Sequence, residues 1–287
     1  MGTAGEPRGA VQVSGSSFVT FNNCTFIHLG SPYALSVMES SKHVTVTASS
    51  FMDLSGGFLK LGSVDGTRYG GSPNPNDWDS HFSITHNVAS DQAVEYGGAA
   101  GFFGGFIFSA DVSHNTVSDA GYSGFSVGWG WGDVFPPGYG NNTIAFNRIY
   151  NVMTKLKDGG GIYVNGATNG SYPSLMANNW VNNDEHVFAV YYLDNGASHW
   201  HVTNNVATNS TIAWAFFMTG GPGPKALAAQ NNRLDHFWYE SDAAPVNNCA
   251  KYNCVVDEST VYKIVPPAPL PAAAIAIMNA AGAQPAD

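Results

Sequence analysis

The segments VSHNTV (residues 112–117), IAFNRI (144–149), MANNWV (176–181) and VTNNVA (202–207) repeat one pattern along the chain. In each, an apolar residue is followed by two residues, an Asn, one further residue and a second apolar residue. Looser copies begin at Phe21, Val46, Ile84 and Ala229. Asn fills the polar position in six of the eight copies, and successive copies are 25 to 38 residues apart. Such a period indicates a repeat architecture in which neighbouring repeats stack on one another.

A second kind of segment lies between these copies. It begins with a small residue and continues with alternating apolar positions, which is typical of a short strand. Its examples are GFLKLG (57–62), GFSVGWG (124–130), GGIYVNG (160–166), FAVYYLD (188–194) and AWAFFM (213–218). Each repeat therefore holds at least two strands, and the period of an α-helix is absent from them. The sequence predicts an all-β fold, a right-handed parallel β-helix of about eight rungs over residues 1–264.

The repeated Asn has a structural explanation in such a fold. At equivalent bends of successive rungs, Asn tolerates the left-handed backbone conformation and can hydrogen-bond to the Asn above and below it. We therefore expect an Asn ladder that supports the solenoid and takes no part in chemistry.

The end of the chain has a different composition. The segment VPPAPLP (265–271) predicts an extended chain, and Ala272 to Ala281 predicts a short helix that stops near Gly282. We expect residues 265–287 to form a tail whose helix covers the last rung, because an open solenoid end exposes unpaired strand edges.

Composition excludes several classes of function. The 287 residues include 11 Lys and Arg against 21 Asp and Glu, which gives a net charge of −10. No basic cluster is present to neutralise phosphates, so we expect no nucleic-acid partner. No stretch approaches the length of a membrane span, and the first residues lack the features of a signal peptide. We expect a monomer that does not bind membranes and takes a neutral or weakly charged ligand.

Three cysteines are present, too few and too widely spaced for a metal site of CxxC pairs. A small disulfide loop between Cys249 and Cys254 is one possibility, in a secreted protein above all. Cys24 is expected to be a small buried residue. The nine histidines show no ligand spacing, so we predict neither a metal nor a cofactor.

Two tryptophans near residue 130 are candidates for ligand binding. Trp129 and Trp131 are two residues apart, so on a strand their side chains point to the same face, and the glycines beside them leave the rings uncovered. Aromatic rings presented in this way suit stacking against a sugar. The alternative is that both rings fill an apolar layer beneath the following loop.

Two aspartates border neighbouring strands. Asp158 precedes the strand of Tyr163, and Asp194 ends the strand of Tyr191 and Tyr192, which we align one rung later. This places both carboxylates on adjacent rungs, with Tyr163 and Tyr192 as candidates for lining the ligand site. For each aspartate the alternative is a turn-capping role.

Acidic loops flank these segments. Glu95 in EYGG and His186 in DEH are further candidates for contacting a ligand, and the alternative for both is ordinary solvated loop charge.

Paired carboxylates are what glycoside hydrolysis requires, one as general acid and the other as nucleophile or as base for water. Strands on adjacent rungs lie about 4.8 Å apart. Directly stacked carboxylates would suit a retaining enzyme, with a separation of about 5–5.5 Å. When Tyr163 is aligned with Tyr191, however, Asp158 lies before the aligned residues and Asp194 after them. A larger, inverting separation of about 6.5–9.5 Å is therefore equally admissible.

The segments GYSGFSVGWGWG, NTIAFNRIYNVMTKLKDGGGIY and AVYYLDNGAS, in this order, resemble the β-helix proteins of glycoside hydrolase family 141. The resemblance covers nearly the whole chain. It implies a secreted or periplasmic glycosidase acting on plant cell-wall glycans, including fucosylated ones and xylan. It also implies a catalytic pair of aspartates, which falls on Asp158 in DGGGIY and Asp194 in YYLDNG.

The sequence therefore predicts a hydrolase of a plant or algal polysaccharide, with a polysaccharide or oligosaccharide as its ligand. One alternative is a non-catalytic carbohydrate-binding or truncated β-helix protein. Another is a polysaccharide lyase, which needs a basic residue beside an acidic sugar and usually Ca²⁺. The basic residues near the predicted cleft are Arg148, Lys155 and Lys157.

Overall fold

The computed structural model is a parallel β-solenoid with three faces per rung. It describes residues 6–130, 136–168, 170–182, 189–210, 229–240 and 249–284, together with the backbone of residues 215–217 and 246–247. Within these residues the strands form a sheet of nine strands and a sheet of sixteen, and neighbouring strands run parallel. The predicted all-β parallel β-helix of about eight rungs is confirmed.

The nine-stranded sheet is the first face of the solenoid. Its strands are β1 (Gly9–Ser14), β4 (Tyr33–Met38), β7 (Gly57–Leu61), β10 (Phe102–Gly104), β13 (Phe125–Val127), β16 (Ile162–Val164), β19 (Tyr191–Leu193), β21 (Ala215–Phe217) and β23 (Val246–Asn247).

The larger sheet covers the other two faces. The second face consists of β2 (Thr20–Asn22), β5 (Thr45–Thr47), β8 (Asp79–Thr85), β11 (Ile107–Ser113), β14 (Thr143–Ala145), β17 (Ser174–Ala177), the first parts of β20 (Trp200–Thr208) and β22 (Arg233–Tyr239), and β24 (Val255–Val256). The third face consists of β3 (Thr25–Leu29), β6 (Ser50–Leu54), β9 (Val88–Ser90), β12 (Thr116–Ser118), β15 (Arg148–Tyr150), β18 (Trp180–Asn182), the later parts of β20 and β22, and β25 (Val261–Lys263).

The predicted Asn ladder lies inside the bend between the second and third faces. Asn115 Nδ2 donates to Asn147 Oδ1 at 3.0 Å, and Asn147 Nδ2 donates to Asn179 Oδ1 at 3.0 Å. Each side chain also bonds the previous rung, as Asn147 Nδ2 does with the carbonyl of Val112 at 2.8 Å. These buried amides are thereby satisfied, and the ladder is confirmed. Its members are Ser49, Asn87, Asn115, Asn147, Asn179 and Asn205.

Two details of the ladder differ from the prediction. The left-handed conformation belongs to the residue before each ladder position, with φ of 55° at both His114 and Phe146. Asn232 does not continue the ladder, because Phe237 pairs with Asn205. Asn232 instead accepts a hydrogen bond from the backbone of Trp200 at 3.0 Å, at the bend before the second face.

A row of aromatic rings, each tilted relative to the next, fills the interior between the first and third faces. Phe51, Phe58, Phe102 and Phe125 are fully buried, and successive ring centres are 5.1 to 6.2 Å apart. Because the inward residues alternate with outward ones, the side chains between them on the first face are left to form the outer surface.

The predicted C-terminal helix is present as α1 (Ala272–Ala280). Its residues Ala274 and Ile277 pack against Val206 and Trp238. Beyond it, the backbone N–H of Gly282 donates to the carbonyl of Phe146 at 2.7 Å. The helix thus lies along the side of the solenoid and extends from the last rungs back toward earlier ones. Among the described residues, no helix is long and apolar enough to cross a membrane.

Two of the cysteines form the disulfide that the sequence allowed. Cys249 and Cys254 are bonded, with their Cα atoms 5.4 Å apart. Cys24 is half-buried, so the expectation that it is buried is only partly met.

Candidate active site

One outward-facing residue from each rung forms a column on the first face. Strand register places Lys60, Phe103, Ser126, Tyr163 and Tyr192 side by side, one per rung from β7 to β19. The residues on either side of them in each strand face the core, as Leu59 and Leu61 do around Lys60. We call this set the outer column.

A cleft of about 230 Å³ opens along the outer column. Its aromatic walls meet at Phe103, whose ring centre is 6.1 Å from that of Trp129 and 6.5 Å from that of Tyr33. Rings grouped in this way provide flat apolar surfaces against which a sugar ring can stack. The lining residues are Pro7, Tyr33, Lys60, Val64, Gly98, Ala100, Phe103, Tyr122, Ser126, Trp129, Tyr163 and Asn165.

Asp194 lies directly after β19 and only 6% of it is exposed. It does not line the cleft itself, but it contacts Tyr163, which does. Its carboxylate accepts hydrogen bonds from the Tyr163 hydroxyl at 2.5 Å and the Tyr192 hydroxyl at 3.2 Å. Burial, and then the charge of Asp194, raise the pKa of both tyrosines far above the usual value. Both hydroxyls therefore stay protonated, and their donated hydrogen bonds hold the carboxylate in one position.

Asn165 adds a further polar contact on the cleft wall. Its Nδ2 donates to the Tyr163 hydroxyl at 3.1 Å, and this hydrogen bond fixes the position of the hydroxyl that contacts Asp194. Its Oδ1 is buried and has no hydrogen-bond partner among the described residues. A buried acceptor without a donor is costly, and a ligand hydroxyl or a water in the cleft would satisfy it.

Asp158 lies in the exposed turn before β16. The Tyr122 hydroxyl donates to its backbone carbonyl at 2.7 Å. Partial burial, and then the charge of Asp194, raise the pKa of the Asp158 carboxyl above its usual value. The charge of Asp194 therefore contributes to holding the proton on Asp158, and a pair of carboxyls whose pKa values differ can divide the roles of acid and base.

The glycines after Asp158 serve rung packing. A Cβ on Gly160 would lie 2.5 Å from the carbonyl oxygen of Ala189, and one on Gly161 would lie 2.5 Å from the side chain of Val181. Neighbouring rungs, not a ligand, therefore require this close approach.

The two aspartates are placed differently from the simplest prediction. Adjacent rungs are confirmed, since β16 pairs with β19, but Tyr163 pairs with Tyr192 and not with Tyr191. Asp158 precedes its strand, whereas Asp194 follows its own. The two carboxylates thus lie toward opposite ends of paired strands, which favours the larger of the two separations that the sequence left open.

The other predicted ligand residues divide into four groups. Trp129 and Tyr163 line the cleft. Tyr192 is only 1% exposed and supports Asp194, so its predicted direct contact with a ligand is replaced by a supporting contact. Glu95 is exposed and is absent from the cleft lining. Trp131 and His186 lie outside the described residues.

The sequence did not predict several residues that line the cleft, namely Lys60, Phe103, Tyr122 and Asn165. Lys60 occupies the centre of GFLKLG just as Tyr163 does in GGIYVNG. Aligning those predicted strands on their central residue would have placed both in one column.

Over the described ranges, no group of three or more His, Cys, Asp or Glu side chains is arranged to hold a metal ion. Two of the three basic residues considered for a lyase, Arg148 and Lys155, make contacts outside the cleft lining. Arg148 lies over the rings of Tyr150 and Trp180, 5.1 and 4.7 Å from their centres, on the third face. Lys155 Nζ donates to the carbonyls of Ala93 and Val94 at 3.0 and 2.6 Å.

No protein-family model and no curated protein matches the chain. A solved structure of a glycoside hydrolase matches it with a TM-score of 0.70 and 21% sequence identity. That match covers 98% of this chain but 41% of the glycoside hydrolase, so the chain spans less than half of that protein's length.

Two structures of the PL6 family alginate lyase AlyGC, one of them a point mutant, are also similar. Their TM-scores are 0.39 and 0.37, with 11% and 10% identity over 88% and 87% of this chain, and with 48% and 38% of the lyase chains covered. Likeness at this level carries no argument about function. The likeness to the glycoside hydrolase shows that this chain shares its solenoid fold.

Proposed function

We propose that this protein is a glycoside hydrolase that acts on a plant or algal cell-wall polysaccharide through Asp158 and Asp194. The observation that carries the proposal is the carboxylate of Asp194, held by two tyrosine hydroxyls beside an aromatic cleft and coupled to a second carboxyl. A glycoside hydrolase with the same solenoid fold adds support. We further propose a secreted or periplasmic monomer, and the disulfide at Cys249 fits an oxidising compartment.

The two carboxyls have different tasks. Asp158 has a raised pKa, so it keeps its proton to higher pH and donates it to the glycosidic oxygen as the bond breaks. Asp194 has both oxygens fixed by hydroxyl donors and serves as the base for water or as the nucleophile at the sugar carbon. Trp129 and Tyr163 bind the sugar rings on either side of the broken bond.

The hydrolase is preferred over a lyase because Arg148 and Lys155 make other contacts and do not belong to the cleft lining. The basic residue that does line the cleft, Lys60, is paired with the carboxylate of Glu6. Both reactions release a new reducing end, but only a lyase also leaves an unsaturated sugar that absorbs ultraviolet light, so the absorbance of the product distinguishes them.

The test is a reducing-sugar and chromatographic product screen against xylan, pectic and fucosylated glycans. Asp158→Asn and Asp194→Asn should each lower turnover by about 10²–10⁴-fold, because each removes a group that transfers a proton or attacks. Asp111→Asn is the matched control, since Asp111 is exposed on the second face. Full activity in both Asp158→Asn and Asp194→Asn would contradict the assignment of these residues as the catalytic pair. Binding of a glycan without turnover would favour the non-catalytic alternative.

A further inference from the structure

One end of the cleft contains a carboxylate that belongs to the protein itself. Glu6, which precedes β1, places its Oε2 2.6 Å from Lys60 Nζ. Its Oε1 accepts a hydrogen bond from the backbone N–H of Val64 at 2.9 Å and another from the Ser63 hydroxyl. An ammonium, a hydroxyl and an amide thus converge on one carboxylate, which is a strong, charge-assisted arrangement. We call Lys60, Ser63 and Val64 the carboxylate pocket.

The donors of this pocket are built into the solenoid. The side chain of Lys60 is only 2% exposed although it carries a charge, and Ser63 is equally buried. The backbone N–H of Ser63 donates to the buried carboxyl of Asp79 at 3.2 Å, which fixes the segment after β7. Burial lowers the pKa of Lys60, and the partner carboxylate opposes that effect. A buried ammonium of this kind needs an anion beside it.

The carboxylate that occupies the pocket is more exposed than the ammonium that it contacts. Glu6 lies on the short segment before β1, and its side chain is 20% exposed. Next to it, Arg8 bonds a different carboxylate, that of Glu39, at 2.6 Å. Glu6 is therefore a group that can leave while the solenoid donors stay in place.

The pocket continues into the aromatic part of the cleft. Lys60, Val64 and Pro7 all belong to the cleft lining. Lys60 Nζ lies 6.0 Å from the ring centre of Phe103, the residue on which the aromatic walls meet. From Lys60 to Tyr163 is three rungs, or about 14 Å at the usual strand spacing. A sugar stacked at Phe103 would thus present a ring carboxylate to the pocket while the chain continues toward Asp194.

We infer that the carboxylate pocket binds the carboxylate of a uronic acid unit of the substrate, and that Glu6 occupies the pocket when no glycan is bound. The inference rests on the proposed function, because it assumes that the cleft takes a glycan, and it narrows the substrate class to acidic glycans. It departs from the expectation of a neutral ligand, since a local ammonium outweighs the overall charge of −10 at this point. Glu6 competes with the substrate carboxylate for the pocket. The apparent affinity of the protein for the glycan is therefore lower than the intrinsic one, in proportion to the fraction of molecules in which Glu6 has left the pocket free.

The test is calorimetric binding of tetragalacturonate, a glucuronate oligomer and the methyl ester of each, in the Asp194→Asn protein so that no turnover occurs. The acid and its ester differ only in charge at the group that the pocket would hold. Glu6→Ala should tighten binding of an acid by at least about tenfold and leave the ester unchanged. Adding Lys60→Met should remove that gain, with a thermal melt to show that the protein stays folded.

Glu39→Ala is the matched control, because it removes an acidic partner of the same N-terminal segment outside the cleft lining. It should change neither affinity. Two results would overturn the inference. One is that Glu6→Ala binds the acid and its ester with equally increased affinity, and the other is that it binds neither uronate oligomer more tightly than the parent protein does. Hydrolysis of a neutral glycan by the unmodified protein would in that case leave the proposed function standing.

Discussion

The Asn ladder and the outer column both contribute one residue per rung, yet they differ in how their polar atoms are satisfied. In the ladder, successive members are nearly identical, and Asn115, Asn147 and Asn179 bond one another at 3.0 Å. In the outer column the residue type changes at each rung from Lys60 through Phe103 and Ser126 to Tyr163, and only the last step, to Tyr192, repeats it. In the ladder, the repeated Asn satisfies the hydrogen bonds of the buried amides within the fold. In the outer column, the varied residues form a surface on which a ligand can bind.

The polar groups beside the outer column show the same contrast. Asn165 is as buried as a ladder member, but its Oδ1 has no partner among the described residues. Asp194 is supported by Tyr192 of its own rung and by Tyr163 of the preceding rung, and not by a residue of its own type. Cleft residues therefore depend on a few specific contacts, while ladder residues depend on their repetition.

Breaking the ladder should have the largest effect. Asn147→Ala removes the acceptor of Asn115 Nδ2 and N, and the donor to the carbonyl of Val112. Buried groups left unpaired cost about 1–3 kcal/mol each, so the free energy of unfolding should fall by about 3 kcal/mol or more. Urea denaturation followed by circular dichroism measures the change.

The control for this variant is Asn22→Ala, since Asn22 is an exposed residue of β2. Its unfolding midpoint should stay close to that of the unchanged protein. If Asn147→Ala were no less stable than Asn22→Ala, the ladder would not support the fold in the way that its hydrogen bonds indicate.

The ladder also shows how far sequence alone reaches. Its spacing predicted the solenoid, because a buried amide must recur in phase wherever rungs stack. The pattern failed at Asn232, where a similar local sequence lies at a different bend. Loops of unequal length make copies 25 to 38 residues apart, so local spacing cannot decide which bend an Asn occupies.

The site was less accessible to prediction than the fold. Asp194, Tyr163 and Trp129 can be proposed from the sequence because they stand in conspicuous aromatic and acidic segments. The sequence aligned Tyr163 with Tyr191, one residue away from its partner Tyr192 in the structure. Two adjacent tyrosines fit the same pattern, and only the packing of the strands determines which of them pairs with Tyr163. The pairing of Glu6 with Lys60 joins residues 54 positions apart and has no local pattern.

Changing the support of Asp194 should have an intermediate effect. Tyr163→Phe removes the hydroxyl 2.5 Å from its carboxylate, and Tyr192→Phe removes the one at 3.2 Å. A hydrogen bond to a charged group contributes about 1.5–3 kcal/mol, so kcat should fall roughly 10–100-fold in Tyr163→Phe. The longer bond of Tyr192 should cost less. Steady-state kinetics on the glycan identified in the product screen gives kcat and KM separately.

A positioning role predicts that kcat falls more than KM rises. Tyr150→Phe, the same change on the third face, should leave both constants unchanged. Equal losses in all three variants would show that the hydroxyls at Asp194 have no special part in turnover.

The smallest effect concerns the coupling between the two carboxyls. A general acid works in its protonated form, so activity should decline as pH rises through the pKa of Asp158, and a raised pKa extends activity to higher pH. In Asp194→Asn the like charge is gone, so the pKa of Asp158 should fall while partial burial still holds it above the usual value. The shift is small because Asp158 is exposed and the solvent screens the interaction. Carbon-detected NMR titration of the Asp158 carboxyl measures this shift. The control is Tyr192→Phe, which keeps the charge of Asp194. In this variant the pKa of Asp158 should stay much closer to that of the unchanged protein than it does in Asp194→Asn. The same midpoint with and without the charge of Asp194 would mean that the two carboxyls act independently and would remove the electrostatic basis for assigning Asp158 as the acid.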